Sequence, residues 1–201
     1  MQALAPPLDI KWSGHYEQYG TKNPVNFENM SLGADGAIKG NGTDGVGAFT
    51  IEGKLEGTNI SFEKKYPAHA VVYKGTLKGD EITGTWEIPG NCNGTFQIDM
   101  ECPKFVGHYT MGDGVDEHPV LINISEKNNT VYGLGNDPVG NFRVSGAVCP
   151  HTHTVRFTKS YFGAHEVHYT GLVKSVGGKR QYKGHWHIPN NCDGRFVLTE
   201  Q

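Results

Sequence analysis

The amino-acid sequence predicts an all-β protein built as two tandem eight-stranded antiparallel up-and-down barrels. Three observations carry that expectation. First, the chain repeats itself: GTWEIPGNCNGTF at 84–96 and GHWHIPNNCDGRF at 184–196 share eight of thirteen positions. Second, apolar side chains recur at every second residue over short runs, the period of a strand with one buried face. Third, 28 of 201 residues are glycine, a share that suits many short strands joined by tight turns.

The repeat covers the whole chain. KWSGHY (11–16) matches KFVGHY (104–109), and GNGTDGVGAFTIEG (40–53) matches GLGNDPVGNFRVSG (133–146). FEKKY (62–66) matches FTKSY (157–161), and HAVVYKG (69–75) matches HEVHYTG (165–171). The order of motifs is the same in both halves, so the chain divides into a lead-in at 1–10, one unit at 11–101 and a second at 102–201.

Within the first unit, strands are expected near 11–18, 25–32, 36–43, 47–55, 59–66, 69–77, 81–88 and 95–100. Phe49, Ile51 and Gly53 share one face, as do Ile60, Phe62, Lys64 and Tyr66. Val71, Tyr73 and Gly75 form the next row, then Gly84, Trp86 and Ile88, then Phe96 and Ile98. Asp35-Gly36, Asp44-Gly45 and Gly79-Asp80 supply turns, and Ile-Pro is read as ending a strand before an Asn-Cys-x-Gly turn. Eight strands joined by hairpins can close with no free edge.

Several segments resemble the avidin and streptavidin family. GADGAIKG and the following Gly-bounded strand look like its early strands, as does SGHYEQYGT. YFGAHEVHYTG resembles the family's hairpin of Tyr, Ala-His and aromatic-x-Gly, and the later G-x-W strand has a counterpart. The resemblance implies an eight-stranded barrel of the avidin or lipocalin kind in each repeat. It does not carry the biotin site. The family's Asn and Ser near the first turn are replaced by Glu17 and Thr21, its Tyr and Ser on the third strand by Gly42 and Asp44, and a hydroxyl on the sixth by Val71. Only Tyr73 and Trp86 keep their aromatic character. A site that hydrogen-bonds a polar ring does not lose those partners cheaply.

Composition narrows the function classes. A net charge of −3 gives no electrostatic case for nucleic acid or an anionic membrane, and no apolar run is long enough for a transmembrane helix. MQALAPPLDI lacks the regions of a signal peptide, so a cytoplasmic location is expected, with secretion as the alternative. Six N-x-S/T sequons would matter only in the second case. Cys92 and Cys192 repeat but Cys102 and Cys149 match nothing, which favours free thiols over a disulfide framework. No nucleotide, hydrolase or metalloprotease motif occurs, so no cofactor is expected.

Three constellations are candidate sites. The inward aromatic rows place Tyr16, Tyr66, Tyr73 and Trp86 in one barrel, and Tyr109, Tyr161, Tyr169 and Trp186 in the other. They form either a packed core or a cup for a flat apolar ligand. Lys64 and Lys159 continue apolar rows, with Asp44 and Asp137 at the end of a strand two away. Each lysine either snorkels at the rim or lies buried against its aspartate, which with Tyr would make an acid/base group. His168, His185 and His187 share an outward face near Glu166 and are a weak metal candidate against a plain polar face. His15, His108, His69 and His165 recur in both copies. The first two point outward, and the second two sit at a hairpin corner where imidazole bonds local backbone.

The sequence therefore points to a non-catalytic binding or scaffold protein for a small apolar molecule or a protein partner. Docking through outer faces suits a chain whose core positions repeat while outward positions differ. A cofactor-free barrel enzyme of proton-transfer, isomerase, cyclase or oxidative type, using inward Lys, Tyr and Asp, is the alternative. Nothing in the sequence sets an oligomeric state.

Overall fold

A computed structural model describes residues 8–33 and 35–201, all of them strand, turn or coil. The first barrel runs β1 (Leu8–Gln18), β2 (Thr21–Leu32), β3 (Ala37–Asp44), β4 (Ala48–Glu56), β5 (Asn59–Lys65), β6 (Ala70–Lys78), β7 (Glu81–Ile88) and β8 (Cys92–Met100). The second runs β9 (Lys104–Tyr109), β10 (His118–Lys127), β11 (Thr130–Asp137), β12 (Gly140–Cys149), β13 (Thr154–Tyr161), β14 (Glu166–Val176), β15 (Lys179–Ile188) and β16 (Cys192–Glu200). Each set is a meander whose first and last strands pair, Tyr16 against Phe96 and Tyr109 against Phe196. Two closed eight-stranded antiparallel barrels result, and the chain divides between Glu101 and Cys102. Most of the lead-in predicted over 1–10 lies outside the described residues, and β1 already begins at Leu8.

Alternation explains both interiors. Phe49, Ile51, Ile60, Phe62, Tyr73, Trp86, Phe96 and Ile98 are buried in the first barrel. Phe142, Val144, Val155, Phe157, Tyr169, Trp186, Phe196 and Leu198 are their counterparts. Phe62 stacks on Tyr73 at 4.8 Å, and Phe157 on Tyr169 at 4.6 Å. Burying aromatic rings of this size supplies the main stabilisation of each small core. Phe27 and Tyr182, both fully buried, were not among the expected core aromatics. Phe27 precedes a register shift at Phe27/Asn29 that breaks the alternation of β2.

One expected turn lies elsewhere. The chain reverses at 89–91 and 189–191, and β8 and β16 start at Cys92 and Cys192. Gly94 and Gly194 are therefore strand residues, paired with Trp86 and Trp186. A methyl on Gly94 would lie 2.7 Å from the Trp86 indole nitrogen. The glycine makes room for the indole, whose N–H crosses to donate to Glu17 O (3.1 Å); Trp186 donates to Thr110 O (3.0 Å).

The copies differ in their first hairpin. β1 and β2 pair continuously to Gln18↔Thr21 and reverse through Tyr19-Gly20. β9 stops at Tyr109, which pairs with His118, and residues 110–117 form a longer connection. That strap is turned back along the sheet: the Thr110 N–H donates to Arg195 O (2.9 Å) and the Gly112 N–H to Asp193 O (2.6 Å).

Candidate functional site

The mouth of each barrel is organised by an aspartate at the β3–β4 or β11–β12 turn. Asp44 Oδ1 accepts from the backbone N–H groups of Val46 (2.9 Å) and Gly47 (3.3 Å), a turn role that Asp-Gly predicts. Oδ2 points inward, where it accepts from Lys64 Nζ and from the Tyr66 hydroxyl (2.5 Å). In the second barrel Asp137 accepts from Val139 N (2.9 Å), Lys159 Nζ (2.5 Å) and the Tyr161 hydroxyl (2.6 Å). Lysine and tyrosine sit two apart, at the end of β13 or, in the first barrel, at the end of β5 and one residue past it, so both face inward toward one acceptor.

The rim-snorkelling reading of the lysines is thereby corrected. Lys64 is 1% and Lys159 3% exposed. A buried ammonium needs an anion and aromatic faces, and each has both. Lys64 Nζ lies 4.1 Å from the Phe49 ring centre, and Lys159 Nζ 3.9 Å from that of Phe142. Burial pushes both lysines below their ordinary value, against the opposing pull of the carboxylates. Burial also works against ionising Asp44 and Asp137, but the bonds from lysine and tyrosine outweigh it and hold both carboxyls below the usual range. Burial and the adjacent carboxylate raise Tyr66 and Tyr161.

All eight aromatic candidates gather at these mouths, but the space they enclose differs. In the first barrel, Tyr16, Tyr66, Tyr73 and Trp86 together enclose about 70 Å³, while a separate recess of about 550 Å³ beside Tyr66 is lined mainly by the exposed Glu28, Thr43, Thr50 and Lys65. The continuous β1–β2 wall closes over the four aromatic side chains, and Gln18 reaches across to the Cys92 sulfur (3.4 Å). In the second, Tyr109, Tyr161, Tyr169 and Trp186 border a cavity of about 420 Å³ together with Lys159 and Asp137. The wall ends early there, and Met111, His118 and Cys192 join the lining. The Asp137 side chain is 19% exposed, whereas that of Asp44 is wholly covered. Tyr109 and Tyr169 line this cavity, and their hydroxyls have no hydrogen-bond partner among the described residues.

His118 was missed by the sequence reading. It stacks on Tyr109 at 5.1 Å, and the single hint was that the first hairpin does not repeat. His69 and His165 also serve otherwise than expected. Their rings pack on Tyr66 and Tyr161 at 4.7 and 5.0 Å, at the mouth.

The outward histidines are not gathered into one three-ligand cluster. His168 and His187 are cross-strand partners with rings 5.2 Å apart, while His185 pairs with Thr170 and Arg195. His168 Nδ1 is engaged with Thr158 Oγ1 (3.1 Å), and Glu166 accepts from the Ser160 hydroxyl (2.9 Å). Among the described residues no three His, Cys, Asp or Glu side chains are placed to hold a metal. No disulfide joins Cys92, Cys102, Cys149 and Cys192 in this structure.

No protein-family model matches the chain, and no curated protein matches it significantly. A search of solved structures finds a provisionally named outer membrane protein of Bacteroides fragilis. It is 12% identical, with a TM-score of 0.32, covering 100% of this chain and 98% of that one. A likeness of this size carries no argument about fold or role.

Proposed function

We propose that the second barrel binds a small, mostly apolar molecule carrying a hydrogen-bond acceptor, and that the first is its closed structural copy. The observation behind this is the difference between two mouths with nearly the same residues: about 420 Å³ against about 70 Å³. The larger value falls in the range of ligand pockets. Tyr109 and Tyr169 offer hydroxyl donors there, and Trp186, Val167 and Ile188 offer apolar walls. The avidin-like motifs support a binding barrel by analogy of fold alone, and the lost polar positions argue against biotin.

The Lys-Asp-Tyr group favours binding over catalysis. It recurs intact in the barrel whose mouth is nearly filled, so its shared role is to pin the turn across the strand ends. The test uses 6-propionyl-2-(dimethylamino)naphthalene, a neutral fluorescent probe whose ketone accepts a hydrogen bond. Saturable binding, weakened at least tenfold by Val167→Phe and unchanged by Val71→Phe, is the expected result. Equal effects of the two variants, or no saturable binding, would sink the proposal.

A further inference from the structure

We infer that the outer face of the second barrel carries a separate site for a small amphipathic anion, with a carboxylate or phosphate head on an apolar chain. This goes beyond the mouth cavity, from which the barrel wall separates it. Strands β14, β15, β16 and β9 present their outward rows to a groove of about 890 Å³, overhung by the strap at Gly114, Val115 and Glu117.

The two copies show what this face has gained. One registered row crosses the first barrel as Thr76, Thr83 and Gln97, and the second as Leu172, Lys183 and Val197. The adjacent row contains Ser61, Thr85 and Thr95 in the first barrel, against Arg156, His185 and Arg195 in the second. Inward neighbours on the same strands are unchanged: Tyr73 and Tyr169, Trp86 and Trp186, Phe96 and Phe196. The shared core does not require the new residues, because the first barrel closes without them. Lys74 and Glu17 cancel in the first copy and both become Thr in the second, so the face moves from neutral to three fixed cations.

Two side chains of this face meet acids on the strap. Arg195 lies 3.8 Å from Asp113, and His108 is 3.2 Å from Glu117. Lys174 and Lys183, which line the groove, have no ion-pair partner among the described residues. Leu172 is 47% and Val115 89% exposed beside them. An apolar chain laid on Leu172, Val197 and Val115 would bring its acidic head to these lysines. Charge complementarity then adds to apolar burial, and the contact weakens with salt.

The experiment titrates decanoate, with decanol as the neutral control, into the full chain by calorimetry. The expected result is one saturable decanoate site, weakened at least tenfold by Leu172→Thr/Lys183→Thr, by decanol in place of decanoate, or by 0.5 M salt. The double substitution installs residues the first barrel carries at those positions, so the barrel tolerates them. Val167→Phe, which fills the mouth, should leave decanoate binding unchanged and so separates this site from the proposed one. Loss of decanoate binding in Val167→Phe with retention in the double variant overturns the inference, as does no saturable binding below the micellar concentration. Capture by anionic vesicles without binding of free decanoate also overturns it, making the face a membrane-contact surface.

Discussion

Lys64 shows how one inward cation can be accommodated in an aromatic core. Its ammonium has a carboxylate on one side and the Phe49 ring on the other, and Asp44 is held in turn by the turn it caps. Lys64→Met should therefore destabilise the first barrel by about 3–5 kcal/mol, since it strands a buried carboxylate. Adding Asp44→Asn should recover much of the loss, because Asn keeps the turn bonds without the charge. Strand-resolved hydrogen exchange reads the effect in each barrel separately. The pair also sets an acid limb. The unfolded chain protonates Asp44 near the ordinary value of about 3.9, whereas the native carboxyl takes its proton only at lower pH. Its stabilisation is complete above that ordinary value and is lost as pH falls through the native one. Urea midpoints followed from pH 7 to pH 2 should fall less steeply in Asp44→Asn.

At the scale of the strand pair, glycine sets how closely the wall approaches the rings. Gly135 pairs with Phe142, and a methyl on Gly135 would lie 2.3 Å from the Phe142 ring tip. Gly135→Ala should cost about 1–3 kcal/mol through overpacking, seen as a lowered melting midpoint. A costless substitution would mean that the ring swings aside. This glycine also marks the limit of what the sequence made legible. Strand rows could be read because Phe49, Ile51 and Trp86 alternate cleanly, and counting strands brought Asp44 within reach of Lys64 without deciding between rim and interior. Gly94 was misread as a turn residue because a glycine serving a turn and one serving a neighbouring indole look alike in one dimension. Phe27 was missed because the bulge that follows it puts Phe27 and Met30, three apart, on one face, so β2 shows no continuous alternation.

Across the whole molecule, duplication makes the chain its own reference. Core positions keep their apolar character between copies, while one hairpin and one outer face differ in kind. Cavity size could not be read from the sequence. Val71 and Val167, Tyr73 and Tyr169, and Trp86 and Trp186 are the same residue types at both mouths. What separates a filled mouth from an open one is where the first strand stops, and that depends on backbone pairing, Gln18↔Thr21 against Tyr109↔His118. The strap at 110–117 follows from that early stop and has two working surfaces. Met111 borders the inner cavity, while Gly114, Val115 and Glu117 border the outer groove. One short segment is thus a party wall. A ligand that shifts this segment on one side shifts it for the other. Linkage then demands reciprocity: any factor by which decanoate changes binding of the fluorescent probe is the factor by which the probe changes binding of decanoate.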